Sequence, residues 1–192
     1  MSRKLILASS STYRQSLLKR LNLPFEALSP DVDETPLADE APRALAIRLA
    51  HAKAQAGAAL SPPNAVVIGS DQVAEVNGES LGKPLTQERA VEQLLSLSGQ
   101  SITFHTAMVV VCAGETLEHH CPTHIKMRPL VEDEVVRYVS IDQPLHCAAG
   151  FKSESLGIAL TESYQSPDPT AIIGLPLIEL ARVLRTFGFK VP

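Results

Sequence analysis

The sequence predicts an α/β protein built on a mixed sheet. Apolar runs of strand length alternate with helical 3.6-residue periods in the first half of the chain, and tight hairpin signals then interrupt that alternation. The 192 residues, 45% of them hydrophobic, suffice for a substantial core without disulfides. The prior for such a length is a single domain over 1–192 or two closely packed lobes.

Leu5, Ile6 and Leu7 read as a short buried strand, and Leu17, Leu18 and Leu21 mark a helix. Ser9, Ser10 and Ser11 lie between them, in a strand-to-helix loop. One hydroxyl satisfies an N-cap. Three hydroxyls with free N–H groups at a positive helix end read better as an anion site. Arg14, in the first helical turn, opposes the helix dipole unless an anion or an acidic neighbour compensates it.

"FEALSP" reads as a short strand, followed by the acidic, Pro-punctuated loop "DVDETPLADEAP". A helix from about Arg43 to Ala59 follows, with Leu45, Leu49, Ala52 and Ala56 expected on its buried face. "AVVIGSDQVAEV" begins as a continuous apolar run, as in a strand buried on both faces. Asn77-Gly78 turns it into a hairpin. Thr86 caps a helix that runs to about Leu97, near Gly99. Two strands surround Gly114, and "VEDEVVRYV" is a short helix. "GIALTES" and "AIIGLP" are expected as late strands. A last helix from Pro176 to about Phe187 is expected to bury Leu177, Leu180, Ala181 and Leu184.

With Asn77 and Gly78 as the two loop residues, Val76 pairs with Glu79. That register sets Gln72 opposite Lys83 and Asp71 opposite Pro84, with Lys83 diagonal to Asp71 and within reach. The pair is either a structural ion pair at a strand end or part of a site. Asp31, Asp33 and Glu34 of the acidic loop, together with Asp71, offer oxygen ligands for Mg²⁺, which takes few protein carboxylates beside substrate phosphates.

Several chemistries are disfavoured. The net charge of −4, without a basic tail or patch, argues against a nucleic-acid binder. No stretch approaches the length of a membrane span. Cys112, Cys121 and Cys147 are odd in number and widely spaced, as expected of reduced thiols in a cytoplasmic protein. "EHHCPTH" at 118–124 has metal-ligating residues, but neighbours along a strand face opposite ways and the spacing fits no ordinary zinc pattern. There is no Walker A loop and no G-x-G-x-x-G.

"LASSSTYR", "DVDE", "AHAKA", "GSDQV", "GKPLT", "LSGQ", "GFKSESLGI" and "IIGLPL" occur in this order along nearly the whole chain. The set resembles the Maf family of nucleoside triphosphate pyrophosphatases. The resemblance implies an elongated α/β fold, two lobes around a central cleft, related to the inosine triphosphate pyrophosphatases. It also implies hydrolysis of a nucleotide to its monophosphate and pyrophosphate, assisted by a divalent metal (Mg²⁺ or Mn²⁺). By that resemblance Ser9, Ser11 and Arg14 match the phosphate-binding loop, Glu34, Lys53 and Lys83 the cleft charges, and Asp71 the proton acceptor. Glu34 and Asp71 are the expected metal ligands.

The family pattern Ser-x-Ser-x-Arg-Arg is broken at Tyr13. Tyr13, with Gln72 and Glu154, resembles the branch that hydrolyses 7-methyl-GTP, which often carries Trp where this chain has Tyr. The chemistry agrees, because N7-methylation makes guanine a cation, which an aromatic face and a carboxylate attract. A tyrosine packed on the core is the bland alternative. The same reaction on UTP or dTTP, and a nucleotide-binding regulator of cell division, are the functional alternatives. The expected partner is a small-molecule nucleotide, not a nucleic acid or a membrane, and a homodimer is compatible with the sequence.

Overall fold

The computed structural model describes residues 3–192. Among the described residues, seven strands form one mixed sheet, flanked by five α-helices. In chain order they are β1 (Leu5–Ala8), α1 (Thr12–Lys19), β2 (Glu26–Leu28), α2 (Pro42–Ala59), β3 (Val66–Val76) and β4 (Glu79–Leu81). Then come α3 (Gln87–Ser96), β5 (Ser101–Cys112), β6 (Glu115–Met127), α4 (Glu132–Asp142), β7 (Thr161–Gln165) and α5 (Leu177–Thr186). The sheet order is β2-β1-β3-β5-β6-β7, with β4 also on β3. β1 runs parallel to β2 and β3, and the other pairs are antiparallel. No helix among the described residues is long and apolar enough to cross a membrane.

The central strand explains where a cleft can form. One edge of β3 pairs with β5 from Val67 to Glu75. Its other edge pairs with β1 at residues 66–68 and with β4 at residues 74–76. Between them, residues 69–73 have no strand beside them on that edge. The serine loop leaves the end of β1 and the Gly82-Lys83 segment leaves the end of β4, so both chains turn away at this gap. A crevice beyond the carboxyl end of a parallel strand, where neighbouring connections diverge, is the usual ligand position in open α/β sheets.

Two apolar cores flank the gap. One gathers Leu94, Phe104, Ile125, Met127, Tyr138 and Phe151 under α3 and α4. The other gathers Leu5, Leu7, Leu17, Ile68, Leu180 and Leu184 under α1 and α5. α2 lies across β3 and β5 with Leu45, Ala46, Leu49, Ala50 and Ala54 inward. Gly69 sets that approach, since a Cβ there would stand 2.4 Å from Ala50 O and Ala54 N. The buried stripe of α2 therefore continues through Lys53 and Gly57, while the expected Ala52 and Ala56 are only half-buried. In α5, Ala181 is likewise half-buried and Val183 takes its place inside.

The hairpin has the expected Val76–Glu79 pairing, with Asn77 and Gly78 both at positive φ. The ladder stops at Leu81, so the expected Gln72–Lys83 and Asp71–Pro84 pairs do not form. Gly82 O instead accepts from Ala149 N at 3.3 Å, and Pro84 has no N–H for a ladder.

Both late strands are corrected. Residues 156–160 form a 3₁₀ turn, and β7 begins only at Thr161. Residues 171–173 form another 3₁₀ turn, because side chains take their carbonyls. Thr106 Oγ1 donates to Ala171 O at 2.8 Å, and Gln72 Nε2 donates to Ala171 O and Ile172 O at 3.0 and 2.7 Å. The buried Asp168 carboxylate accepts from Thr170 N and Ile178 N, tying this turn to the start of α5.

Candidate active site

A cavity of about 640 Å³ opens at the gap in β3. It brings together side chains from α1, α2, β3, the acidic loop and the segments after β4 and α4. Ser9, Ser11, Tyr13, Arg14, Glu34, Lys53, Asp71, Gln72, Lys83 and Glu154 all line it. Lys152, two residues before Glu154, does not.

The serine loop is ordered by its own hydroxyls. Ser9 Oγ accepts from Ser11 N at 3.2 Å, and Ser11 Oγ caps α1 by accepting from Arg14 N at 3.4 Å. Ser9 is buried, while Ser10 is exposed. Arg14 crosses the opening of this loop. Its Nε donates to Gly174 O at 2.9 Å, its Nη1 lies 3.5 Å from Ser9 Oγ, and its Nη2 lies 4.0 Å from Asp71 Oδ1. The 3₁₀ turn at 171–173 thus aims the guanidinium across the cleft.

The floor is an ion cluster. Lys53 Nζ lies 2.6 Å from Asp71 Oδ1 and 2.5 Å from Glu34 Oε1. The ammonium on Asp71 therefore comes from α2 and not from the hairpin. Asp71 is 7% exposed, and its Oδ2 takes no hydrogen bond from the described residues. Burial pushes the Glu34 carboxyl up, but the Lys53 hydrogen bond and the charges of Lys53, Lys83 and Arg14 outweigh it and hold it below its ordinary range. Three cations thus act on one carboxylate, and Lys83, though unpaired with Asp71, belongs to the same electrostatic unit.

This donor set fits a hard divalent cation that brings most of its ligands with it. Glu34 and Asp71 already share one positive charge, and both offer oxygen. No group of three or more His, Cys, Asp or Glu among the described residues is placed to hold a metal. Mg²⁺ characteristically takes one or two carboxylates and completes its shell with water and phosphate oxygens.

Tyr13, Cys147, Phe151 and Glu154 form another part of the wall. Burial, then the neighbouring Cys147 thiol and the Glu154 and Asp142 carboxylates, push the Tyr13 phenol up to about 12. Cys147 Sγ lies 3.8 Å from Tyr13 Oη, and burial pushes that thiol up as well. Lys152 Nζ stands 5.7 Å from the Tyr13 ring centroid. Gln72 is placed differently from Tyr13 and Glu154. Its amide nitrogen is occupied by Thr106 Oγ1 and the two carbonyls of the 171–173 turn, which leaves only its oxygen for a ligand.

Sequence reasoning did not find the Lys53–Asp71 pair by geometry, nor the role of Gln72 in holding the turn that orients Arg14. Lys53 could have been found from the small-residue stripe Ala46, Ala50, Ala54 and Gly57, on which it is the only charge. Gln72 left no such signal, because its partners are more than thirty residues away.

The Maf-like protein family model matches residues 4–187. The chain is 52% identical over 191 residues to the protein named 7-methyl-GTP pyrophosphatase of Aromatoleum aromaticum, covering 98% of each chain. It is 55% identical over 185 residues to the protein of that name from Bordetella pertussis, covering 96% of this chain and 92% of that one. Among solved structures, the Staphylococcus aureus Ham1 protein is similar at 19% identity and a TM-score of 0.48, over 65% of this chain and 72% of that one. The family match runs from before β1 to the end of α5 and takes in every segment that lines the cleft, so the chain belongs to the Maf family.

Proposed function

We propose that this protein hydrolyses 7-methyl-GTP to 7-methyl-GMP and pyrophosphate. One observation carries the reading: an aromatic ring and a carboxylate, Tyr13 and Glu154, share a single cavity with a cation-rich polar floor. Relatives about half identical over nearly their whole length bear the name of that activity.

The serine loop, Arg14, Lys53 and Lys83 face the triphosphate and offset the charge that builds on the departing pyrophosphate. Such catalysis is mostly positioning and electrostatics. Glu34 and Asp71 would hold a divalent cation, which would supply charge neutralisation of the phosphates and a more acidic water. Asp71 Oδ2 is the oxygen left to orient a water for in-line attack on the α-phosphorus. Tyr13 offers its face to the cationic base, worth about 0.5–2 kcal/mol. Glu154 accepts from the guanine N1–H and exocyclic amine. A uracil or thymine would set carbonyl oxygens against that carboxylate, and unpaired polar groups discriminate strongly. Gln72 contributes through the turn it holds. The cleft draws on segments from Ser9 to Gly174, so we read residues 1–192 as one working unit, acting in the cytoplasm, where three free thiols are at home.

The test is steady-state pyrophosphate release from 7-methyl-GTP, GTP, UTP and dTTP, with Mg²⁺ and with Mn²⁺. The expected kcat/KM is highest for 7-methyl-GTP by at least about ten-fold. The variant carrying Tyr13→Arg, Gln72→Thr and Glu154→Gln is expected to shift the preference towards UTP or dTTP. Equal or faster turnover of UTP or dTTP by the unaltered protein would overturn the reading.

A further inference from the structure

The segment that carries Glu154 is not part of any helix or strand, yet it is fastened at both ends by two side chains of α4. Tyr138 and Asp142 are four residues apart on one face of that helix, and both are buried. Tyr138 Oη donates to Gly150 O at 3.2 Å and accepts from Lys152 N at 2.9 Å. Burial pushes its phenol well above the ordinary range, so the donor persists. Asp142 Oδ1 accepts from Ser155 Oγ at 2.8 Å and its Oδ2 from Leu156 N at 2.9 Å. Glu154 therefore sits on a short turn pinned before it by Tyr138 and after it by Asp142. The turn is tight, since a Cβ on Gly157 would stand 2.4 Å from Lys152 O.

The same clamp reaches Tyr13. Lys152 Nζ lies 3.3 Å from Asp142 O and 5.7 Å from the Tyr13 ring centroid. Lys152 thus bridges the helix that holds the Glu154 segment in place and the Tyr13 ring of the same cavity. Nothing in α4 itself asks for an acid at position 142. It is the last residue of the helix, where the dipole disfavours negative charge, and it is buried, where a carboxylate needs hydrogen bonds. Both costs are offset by the two donors of the 155–156 turn.

We infer that Asp142 and Tyr138 are positioning residues for base selection, fixing Glu154 against Tyr13 without touching the nucleotide. This rests on Glu154 as the residue that reads the base. It predicts a change in discrimination rather than in the phosphate chemistry, because the clamp is fastened to the base side of the cleft.

The experiment uses the full chain, unaltered and as Asp142→Asn, Ser155→Ala, Glu154→Gln and the double variant Asp142→Asn with Glu154→Gln. kcat and KM are measured for 7-methyl-GTP and GTP. Asp142→Asn keeps one acceptor and loses the other, and it is expected to raise KM for 7-methyl-GTP about ten-fold with kcat within about two-fold. The preference over GTP narrows accordingly. Ser155→Ala, which removes one donor, moves the same ratio about three-fold and stands in should Asp142→Asn fail to fold. Once Glu154→Gln is present, adding Asp142→Asn changes the ratio little, because the two act through one contact. An unchanged ratio in Asp142→Asn and Ser155→Ala, or an equal fall in kcat for both nucleotides at constant KM, overturns the clamp. Should the unaltered protein favour another base, the substrate reading fails while the clamp is judged on whether Asp142→Asn erodes that other preference. An unaltered protein with no base preference overturns both.

Discussion

Two polar clusters sit on the same face of the sheet and behave as opposites. Asp71 and Glu75 point the same way from β3, and His105 and His120 share that face from β5 and β6. The Glu75 cluster closes on itself. Its Oε2 lies 2.6 Å from His105 Nε2, and His105 Nδ1 lies 3.0 Å from His120 Nε2, with the two rings stacked at 5.2 Å. The Asp71 cluster does not close. Arg14, Lys53 and Lys83 surround Glu34 and Asp71, three cations against two carboxylates, at the floor of a cavity. An excess of positive charge facing an opening is completed by an anion. A closed chain of hydrogen bonds between neighbouring strands asks for nothing more.

The difference also separates local spacing from assembly. The histidine cluster comes from adjacent strands of one meander and draws on "EHHCPTH", the stretch that most resembles a metal motif. Cys121 of that stretch is buried among the neighbours of Ser166 and Asp168, while the exposed His124 contacts Thr103 of the adjacent strand. The ion cluster draws one member each from α1, the acidic loop, α2, β3 and the segment after β4 and shows no spacing at all. Its elements meet because the edge of β3 facing away from β5 is left open over 69–73 and because Gly69 lets α2 lie directly on the strand.

The sharpest way to break this contrast is Lys53→Met. The substitution leaves Glu34 and Asp71 facing each other without the ammonium they share, and an uncompensated buried charge is costly. kcat/KM for pyrophosphate release is expected to fall by at least about a hundred-fold. A fall of less than three-fold would place the ion cluster beside the histidine cluster as mere structure. The smaller effect is His120→Gln, expected to leave kcat/KM within about two-fold. Burial, the His105 charge and the Arg43 charge hold His120 at about 4, below the ordinary histidine value of 6.5. The folded protein therefore binds fewer protons than the unfolded chain across that window. The resulting stability is present above pH 6.5 and is lost as pH falls from 6.5 towards 4. His120→Gln is expected to flatten that part of the dependence of Tm on pH. An unchanged acid limb would mean that another group titrates there.

Much of the scaffold was legible in the residues. The apolar runs at 5–7 and 65–76, the Asn77-Gly78 turn and the Thr86 cap all occur where their chemistry places them, and Thr86 Oγ1 accepts from Arg89 N at 3.2 Å. The hairpin register was legible as far as Leu81 and no further, because a backbone contact to Ala149 ends the ladder. "AIIGLP" misleads because a short apolar run has no period of its own, and the side chains that take its carbonyls belong to β3 and β5. "VEDEVVRYV" stops three residues short of the end of α4, which continues through Ser140, Ile141 and Asp142. That continuation carries the Asp142 carboxylate to the Glu154 segment. The resemblance named the cleft residues, but only the fold set Lys53, rather than Lys83, on Asp71.

The most direct measurement is Asp71→Asn, followed by equilibrium binding of 7-methyl-GTP and by pyrophosphate release from it. With the cation-rich cleft intact and the free carboxylate oxygen replaced, binding is expected to stay within about three-fold while turnover falls at least about a hundred-fold. Turnover close to that of the unaltered protein would contradict a site in which Asp71 orients the attacking water.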